Sequence, residues 1–240
     1  MLIGEDKGKR KIVGIIGGMG PAATALLFQK IIDYTDADLD SEHIHILIDN
    51  NTAIPDRTAA ILKGENTPAI RICESGKKLV ECGAELLLIP CNTSHYFYQY
   101  IQNHLSVPVI NMIEETAKVC VAKGYTKVGI LATTGTCKTK IYENELMKLG
   151  VSAVYPDEEG QKRVMEIIYD QVKAGNPVDN SIIKDTLDKM STEGVQAYIL
   201  ACTELPMALK NGDFGYDFID SLDVLAKETV IMAGYRLKNN

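Results

Sequence analysis

The sequence is short of positive charge. Lys plus Arg number 25 against 32 Asp plus Glu over 240 residues, a formal charge of −7. That balance excludes electrostatic capture of nucleic acid or an anionic membrane as the main task, because both need a basic face. Aromatic residues are scarce at 6%, and the local cluster Tyr96, Phe97, Tyr98 and Tyr100 has no Lys or Arg interleaved. It reads as a helix face in the core or at a dimer contact rather than a platform for stacking bases. No apolar run approaches the roughly 20 residues that span a bilayer. The start, Met1 to Lys11, is polar and lacks the apolar stretch of a secretory signal. A soluble, cytoplasmic protein with neither nucleic-acid nor membrane partners is therefore expected. In that setting the six cysteines are expected as reduced thiols, each a small buried hydrophobe or a functional group.

At 240 residues the chain fits one large or two small domains and needs no disulfide or metal to hold a core. Apolar β-branched runs alternate with stretches of helical period. Strands are predicted at Ile12–Ile16, Ile44–Asp49, Glu85–Pro90, Val107–Asn111, Lys127–Ala132, Val151–Tyr155, Ala197–Ala201 and Phe218–Ser221. Helices are predicted at Ala22–Tyr34, Ala69–Cys82, Ile113–Lys123, Tyr142–Leu149, Gly160–Ala174, Ser181–Glu193 and Leu222–Leu237. This rhythm predicts right-handed βαβ units, hence an α/β fold of mainly parallel sheets flanked by helices. Ligands in such sheets sit beyond the carboxyl ends of the strands.

The second half echoes the first. Lys11-Ile12-Val13-Gly14-Ile15-Ile16 before a Gly-rich loop returns as Thr126-Lys127-Val128-Gly129-Ile130-Leu131 before Ala132-Thr133-Thr134-Gly135-Thr136, an offset of 115 residues. An apolar strand running into a cysteine occurs at Leu86 to Cys91 and again at Ala197 to Cys202, an offset of 111 residues. Two echoes in the same order point to an internal duplication. The expected organisation is an N-terminal α/β domain over 1–115 and a similar C-terminal one over 116–220, related by a pseudo-twofold axis. A final helix within 221–240 is expected to pack back on the first domain. No Pro/Gly/Ser tract separates the halves, so close packing with hinge-scale freedom is expected.

Cys91 and Cys202 each stand at the carboxyl end of a strand, where the free NH groups of a following helix stabilise a thiolate. Facing each other across an interdomain cleft, two thiols can remove a proton from one side of a carbon and return one to the other. A thiol with a reference pKa near about 8.5 serves in either state once its environment tunes it. Cys73, Cys82, Cys120 and Cys137 read as packing. Other signals are weaker. Gly18-Met19-Gly20-Pro21-Ala22-Ala23 satisfies a loose dinucleotide fingerprint, but Asp49, the only acid near the second strand end, lies too far on. His43 with His45, or Cys91 with His95, lacks the third ligand that even an open zinc site needs.

Taken together, several motifs resemble the aspartate/glutamate racemase superfamily, above all its cofactor-independent aspartate racemase branch. They are Gly17-Gly18-Met19-Gly20-Pro21-Ala22-Ala23-Thr24, Asn50-Asn51 with Pro55-Asp56-Arg57-Thr58, Pro90-Cys91-Asn92-Thr93-Ser94-His95, Leu131 to Thr136, Val172-Lys173-Ala174-Gly175 and Cys202-Thr203-Glu204. The resemblance runs from about Lys11 to the C-terminus. It implies two similar α/β domains in a homodimer, a site in the cleft between them, and racemisation of aspartate using neither pyridoxal phosphate nor metal. Cys91 and Cys202 would then be the two bases. Asn92, Thr93 and Thr203 would hold the amino and α-carboxylate groups, while Met19, Gly20 and Asn51 would line the site. Thr133, Thr134, Gly135 and Thr136 would supply donors, and Arg57 with Lys173 would grip the side-chain carboxylate, a task suited to a guanidinium fork and an ammonium. Glu204 would tune Cys202 or brace the site. Two departures separate the chain from the glutamate racemase pattern: Met19-Gly20-Pro21 replaces an Asp-Ser pair, and Glu204 replaces a His. Left open are a broad-specificity or glutamate racemase, a relative acting on maleate, hydantoins or malonates, and a non-catalytic binder of a small acidic ligand.

Overall fold

The computed structural model describes residues 10–209 and 214–238; the polar start, residues 1–9, and residues 239–240 of the expected last helix lie outside them. The first half contains β1 (Val13–Gly17), α1 (Pro21–Tyr34), β2 (Ile46–Asn50), α2 (Arg57–Lys63), α3 (Thr67–Glu81), β3 (Leu86–Leu88), α4 (Tyr98–His104) and α5 (Met112–Ala122). The second contains β4 (Lys127–Ala132), α6 (Thr134–Thr139), α7 (Ile141–Lys148), β5 (Ser152–Val154), α8 (Glu158–Met165), α9 (Lys184–Ser191), β6 (Ala197–Ala201), α10 (Leu205–Leu209), β7 (Phe218–Asp220) and α11 (Ser221–Met232). All named strand pairs are parallel, in the orders β2-β1-β3 and β5-β4-β6-β7. The fold is thus α/β, with parallel sheets flanked by helices in two similar units.

The expected strand at Val107–Asn111 contracts to a single bridge between Leu87 and Val109. Pro108 has no NH to extend a ladder, although its carbonyl accepts from Leu87 N at 3.0 Å or less (2.9 Å). With that bridge counted, the two sheets have the same order. The helix expected over Gly160–Ala174 leaves α-geometry after Met165 and continues as a π-helical segment, Glu166–Lys173. The last helix stops at Met232 rather than Leu237. Gly234, at φ +83°, takes the left-handed conformation that ends it.

Alternation along the strands explains the layering. On β1, Val13 and Ile15 face a central core while Ile16 faces outward. The central core also takes Leu27 of α1, Ile113 and Ala117 of α5, Tyr142 and Leu146 of α7, Ile130 of β4, Ile199 of β6 and Leu225 of α11. The two sheets therefore share one apolar layer between them. Separate outer cores lie beyond: one around Ile72, Leu87 and Ile101, the other around Val164, Ile167, Leu187 and Tyr198. Each fully buried Leu or Ile in these layers contributes roughly 1.5–3 kcal/mol. α11 packs on both α1 and α5, and beyond it Leu237 bridges antiparallel to Thr35, fastening the end of the second half onto the first.

Cys73 and Cys120 are packing residues as expected, and Cys137 is half-buried, but Cys82 is exposed. It follows the last turn of α3, where no element covers it. Tyr96 and Tyr100 are exposed while Phe97 is buried, so the aromatic cluster presents only part of itself to the core.

Candidate active site

The strands β1, β3, β4 and β6 end at one cavity. It is lined by Met19, Asp56, Arg57, Thr58, Cys91, Asn92, Thr93, Thr133, Tyr169, Lys173, Cys202, Thr203 and Glu204. Its volume is about 10 Å³, room for about one water, so the cleft is closed in this structure.

Cys91 follows β3 through Ile89 and Pro90, and its NH donates to the Ile89 carbonyl at 2.8 Å. A short 3-10 turn, Thr93–Phe97, brings His95 back beneath it. The Met112 NH donates to His95 Nε2 at 3.2 Å, and Nδ1 lies 2.9 Å from the Cys91 carbonyl. An accepting Nε2 leaves the proton on Nδ1, which donates to that carbonyl. Burial pushes the His95 pKa down, outweighing its backbone contacts. His95 is therefore a neutral brace tying Cys91 to the start of α5.

Arg57 is buried at the first turn of α2. Its guanidinium donates to the carbonyls of Met19 at 3.0 Å and Pro55 at 3.0 Å, and lines the same cavity as Cys91. Burial opposes its charge, but its neighbours Cys91 and then Asp56 outweigh that and raise its pKa. Its Nε is buried with no partner among the described residues.

On the other side, Cys202 follows β6 directly, and its thiol donates to Glu204 Oε2 at 2.9 Å. Thr203 Oγ1 donates to the same oxygen at 3.2 Å. Burial and then the Glu204 charge push the Cys202 thiol pKa well up. Lys173, at the end of the π-helical segment, lies 3.8 Å from Glu204 Oε1 and 4.6 Å from the Tyr169 ring centre. Burial disfavours the Lys173 charge, but Glu204 and then Cys202 more than compensate, raising its pKa.

The sequence-predicted residues divide into groups. Met19, Arg57, Asn92, Thr93, Thr133, Lys173, Thr203 and Glu204 join the two cysteines at the cavity. Gly20 sits beside it, where an added Cβ would lie 3.7 Å from Glu204 Oε1. Gly135 presses on Thr58 so closely that a Cβ would meet Thr58 Oγ1 at 2.9 Å. Thr136 Oγ1 stands behind the lining, 3.0 Å from Thr93 Oγ1, which is also 3.0 Å from Thr133 Oγ1. These hydroxyls tie the halves together. Asn51 turns away, its amide donating to Ser75 at 3.1 Å while its oxygen accepts from Ala53 N at 3.1 Å. Thr134 lines a separate open groove with Gln161 and Met165. Neither fits the role expected of it. Asn92 reaches the cavity wall, but its side chain is already used: Oδ1 accepts from Tyr142 at 2.6 Å and Nδ2 donates to Ser221 at 3.0 Å.

Sequence reading missed Asp56, Thr58 and Tyr169. Tyr169 donates to Asp56 Oδ2 at 3.1 Å, a bond that crosses between the halves. It precedes Lys173 by one helical turn, a spacing that could have placed it on the same face. Asp56 caps α2, accepting from Ala59 N at 2.7 Å; the Pro-Asp-Arg-Thr run carries that signal. Chemically, the cavity can move a proton through either thiol, bind a carboxylate at Arg57 and exclude water while it does so.

The comparisons agree with one another. The family model described as Asp/Glu/Hydantoin racemase matches residues 16–229. The broad specificity amino-acid racemase RacX of Bacillus subtilis is 30% identical over 225 residues, 91% of this chain and 96% of its own. The aspartate racemase of Picrophilus torridus superposes with a TM-score of 0.80 at 33% identity, covering 95% of this chain and 96% of that one. The glutamate racemase of Francisella tularensis, solved with D-glutamate, superposes with a TM-score of 0.67 at 18% identity over 93% of this chain and 81% of that one, a likeness of fold.

Proposed function

The chain belongs to the Asp/Glu/hydantoin racemase family, and on that premise we propose that it interconverts L- and D-aspartate by two-base proton transfer at Cα, without pyridoxal phosphate. The observation that carries the reading is that a thiol from each half shares one closed cavity with two cations, buried Arg57 and the more exposed Lys173. A substrate with two carboxylates supplies a counter-ion for such a site in a chain of net charge −7, and a guanidinium fork suits the side-chain carboxylate.

In this mechanism one cysteine, as thiolate, takes the α-proton while the thiol opposite gives its proton to the other face. Charge developing toward the α-carboxylate is met by the hydroxyls of Thr93, Thr133 and Thr203, fixed in place before reaction and worth more in a water-free cavity than in solution. Asn92, held by Tyr142 and Ser221, shapes the wall. Incubating the cofactor-free protein with L-aspartate, L-glutamate and a panel of other amino acids in deuterium oxide, followed by chiral and mass analysis, tests the proposal. Deuterium at Cα with loss of chirality is expected for aspartate. Binding without deuterium uptake would leave a ligand-binding protein instead. Turnover is expected to survive carbonyl reagents that trap pyridoxal phosphate and to be lost on thiol alkylation.

A second reading, a broad-specificity amino-acid racemase, is favoured by the likeness to RacX and by the Lys173–Glu204 contact, which leaves Arg57 as the cation without a carboxylate on its own side chain's donors. Equal turnover of aspartate and uncharged amino acids would select it. We place the enzyme in the cytoplasm as a homodimer, to be checked by fractionation and light scattering. No described helix is long and apolar enough to cross a membrane.

A further inference from the structure

We propose that Ser221 and Tyr142 are positioning residues. Through the Asn92 side chain they fasten the turn that carries Cys91 to the strand that leads into Cys202, so that the second half sets the spacing between the thiols and keeps it when the cavity opens. The catalytic meaning of this connection rests on the racemase reading; the connection itself does not.

Asn92 follows Cys91 in the first half, yet each of its described side-chain bonds is to the second. Its Oδ1 accepts from the Tyr142 hydroxyl of α7 at 2.6 Å, and its Nδ2 donates to Ser221 Oγ at 3.0 Å. Ser221 opens α11, and its own hydroxyl donates to the Leu200 carbonyl at 2.8 Å. Leu200 lies on β6, two residues before Cys202. One chain of hydrogen bonds thus runs from the residue after one thiol to the strand that ends in the other. Thr93, next along, also crosses between the halves: its Oγ1 lies 3.0 Å from Thr133 Oγ1 and 3.0 Å from Thr136 Oγ1, both at the start of α6.

The internal symmetry does not repeat this. Counting 111 residues on, Asn92 and Thr93 correspond to Thr203 and Glu204, which bond to each other at 3.2 Å, with Lys173 at 3.8 Å from the Glu204 carboxylate. All three belong to the second half, and no described side-chain bond of Thr203 or Glu204 returns to the first. Cys91 is carried by the sheet of one half and held in place by the other.

Burial makes this connection exacting. Asn92 is exposed at 2%, and Tyr142 and Ser221 at 0%, so solvent does not replace a lost partner. Tyr142 donates to Asn92, Asn92 to Ser221 and Ser221 to Leu200, a fully paired sequence that specifies one arrangement and is disrupted by the loss of any member. Neither Ser221 nor Tyr142 lines the cavity. The contacts that close it, Tyr169 with Asp56 and Gly135 with Thr58, involve none of these groups. The rim can therefore part while the sulfurs keep their separation. Proton removal from one face of Cα and delivery to the other need both sulfurs at set distances, and a misplacement of about 1 Å can cost roughly 10²-fold in rate.

Hydrogen–deuterium exchange of the unliganded protein tests the connection without turnover. Ser221→Ala removes both the acceptor for the Asn92 amide and the donor to Leu200. Peptides spanning 90–97 and 197–204 are expected to exchange about tenfold faster than in the wild type, with peptides from β1 and α3 unchanged within about twofold. Tyr142→Phe, which cuts the other hold on Asn92, is expected to accelerate 90–97 in the same way. An increase in neither segment, or an equal increase throughout the protein, would overturn the proposal. Should Ser221→Ala fail to fold, Tyr142→Phe decides by its effect on 90–97. Kinetics read the positioning role: in each variant kcat for aspartate is expected to fall about tenfold or more with KM held within about threefold, because the groups that meet substrate are all retained. An unchanged kcat, or a loss confined to KM, would overturn it. A protein that shows the exchange pattern yet racemises no amino acid would sink the racemase reading and leave the connection standing.

Discussion

The two halves are built on one plan and finished differently. Both order their strands alike and send a strand from beside the first β-strand of the half into a cysteine. They diverge in what surrounds that cysteine. In the first half a 3-10 turn and a buried imidazole brace its backbone. In the second, a carboxylate two residues on accepts a hydrogen bond from the thiol, and a π-helical segment delivers Lys173. Such segments are uncommon and concentrate at functional sites. The scaffold is what the two halves share, in strand order and in a common central core. Buried polar contacts at the strand ends were free to specialise.

The largest effect should come from removing what the halves share. Cys91→Ala and Cys202→Ala are each expected to lower interconversion of the aspartate enantiomers by about 10³-fold or more, since a general acid or base supplies up to about 10⁴-fold. Chiral chromatography of long incubations reads this out. Full activity in both single variants would end the two-base mechanism. Next come the cations, which are not equivalent. Arg57→Ala is expected to cost about 10²-fold in kcat/KM for aspartate, the worth of a charge-assisted bond. Lys173→Ala should cost less, about tenfold, because Glu204 already engages that ammonium. Equal losses would mean that the Lys173–Glu204 contact opens when substrate binds.

A third comparison concerns stability. Asn92→Ala strips partners from the buried Tyr142 hydroxyl and from Ser221, groups that belong to the second half and to α11. A loss of about 1–3 kcal/mol is expected in denaturant unfolding. Thr203→Ala, whose hydroxyl bonds only its neighbour Glu204 among the contacts described, should cost about 1 kcal/mol or less.

The smallest effect lies at the joint. Asp220 caps α11 and pairs with Lys30 at 3.4 Å. Burial, and then the charge of Asp223, push its carboxyl pKa up to about 6. A carboxyl raised above its unfolded value of about 3.9 favours folding fully only below that value, and the contribution is lost as pH rises through about 6. Asp220→Asn, which retains a capping oxygen, is therefore expected to melt higher than the wild type at pH 7.5, by a few degrees at most. The difference should shrink toward pH 4. A variant less stable at both pH values would show that the Lys30 pairing outweighs burial.

Much of this architecture was legible because it depends on local pattern. Apolar β-branched runs marked the strands, and position at a strand end singled out Cys91 and Cys202 from the other thiols. The strand predicted at Val107–Asn111 shrank to a bridge because propensity says nothing of the NH that Pro108 lacks. The π-helical geometry was invisible, since one extra residue in a turn leaves the hydrophobic period almost intact. The bonds that hold Asn92 were hidden for a different reason. Its partners lie 50 and 129 residues away, and no spacing in the chain announces them. Arg57 and Lys173 were assigned by resemblance alone; on local pattern each reads as an ordinary surface cation.

The closed cavity has a mechanical corollary. A space of about 10 Å³ admits no amino acid, so the proposed reaction requires the cavity to open and close in each cycle. The core between the sheets is shared, which confines that motion to the rim, where the Tyr169–Asp56 bond and the Gly135–Thr58 contact close the halves on each other. Motion of that kind is damped by the medium. With a good substrate the turnover number should fall as glycerol or sucrose thickens the buffer, while a poor substrate, limited by proton transfer, should hardly notice.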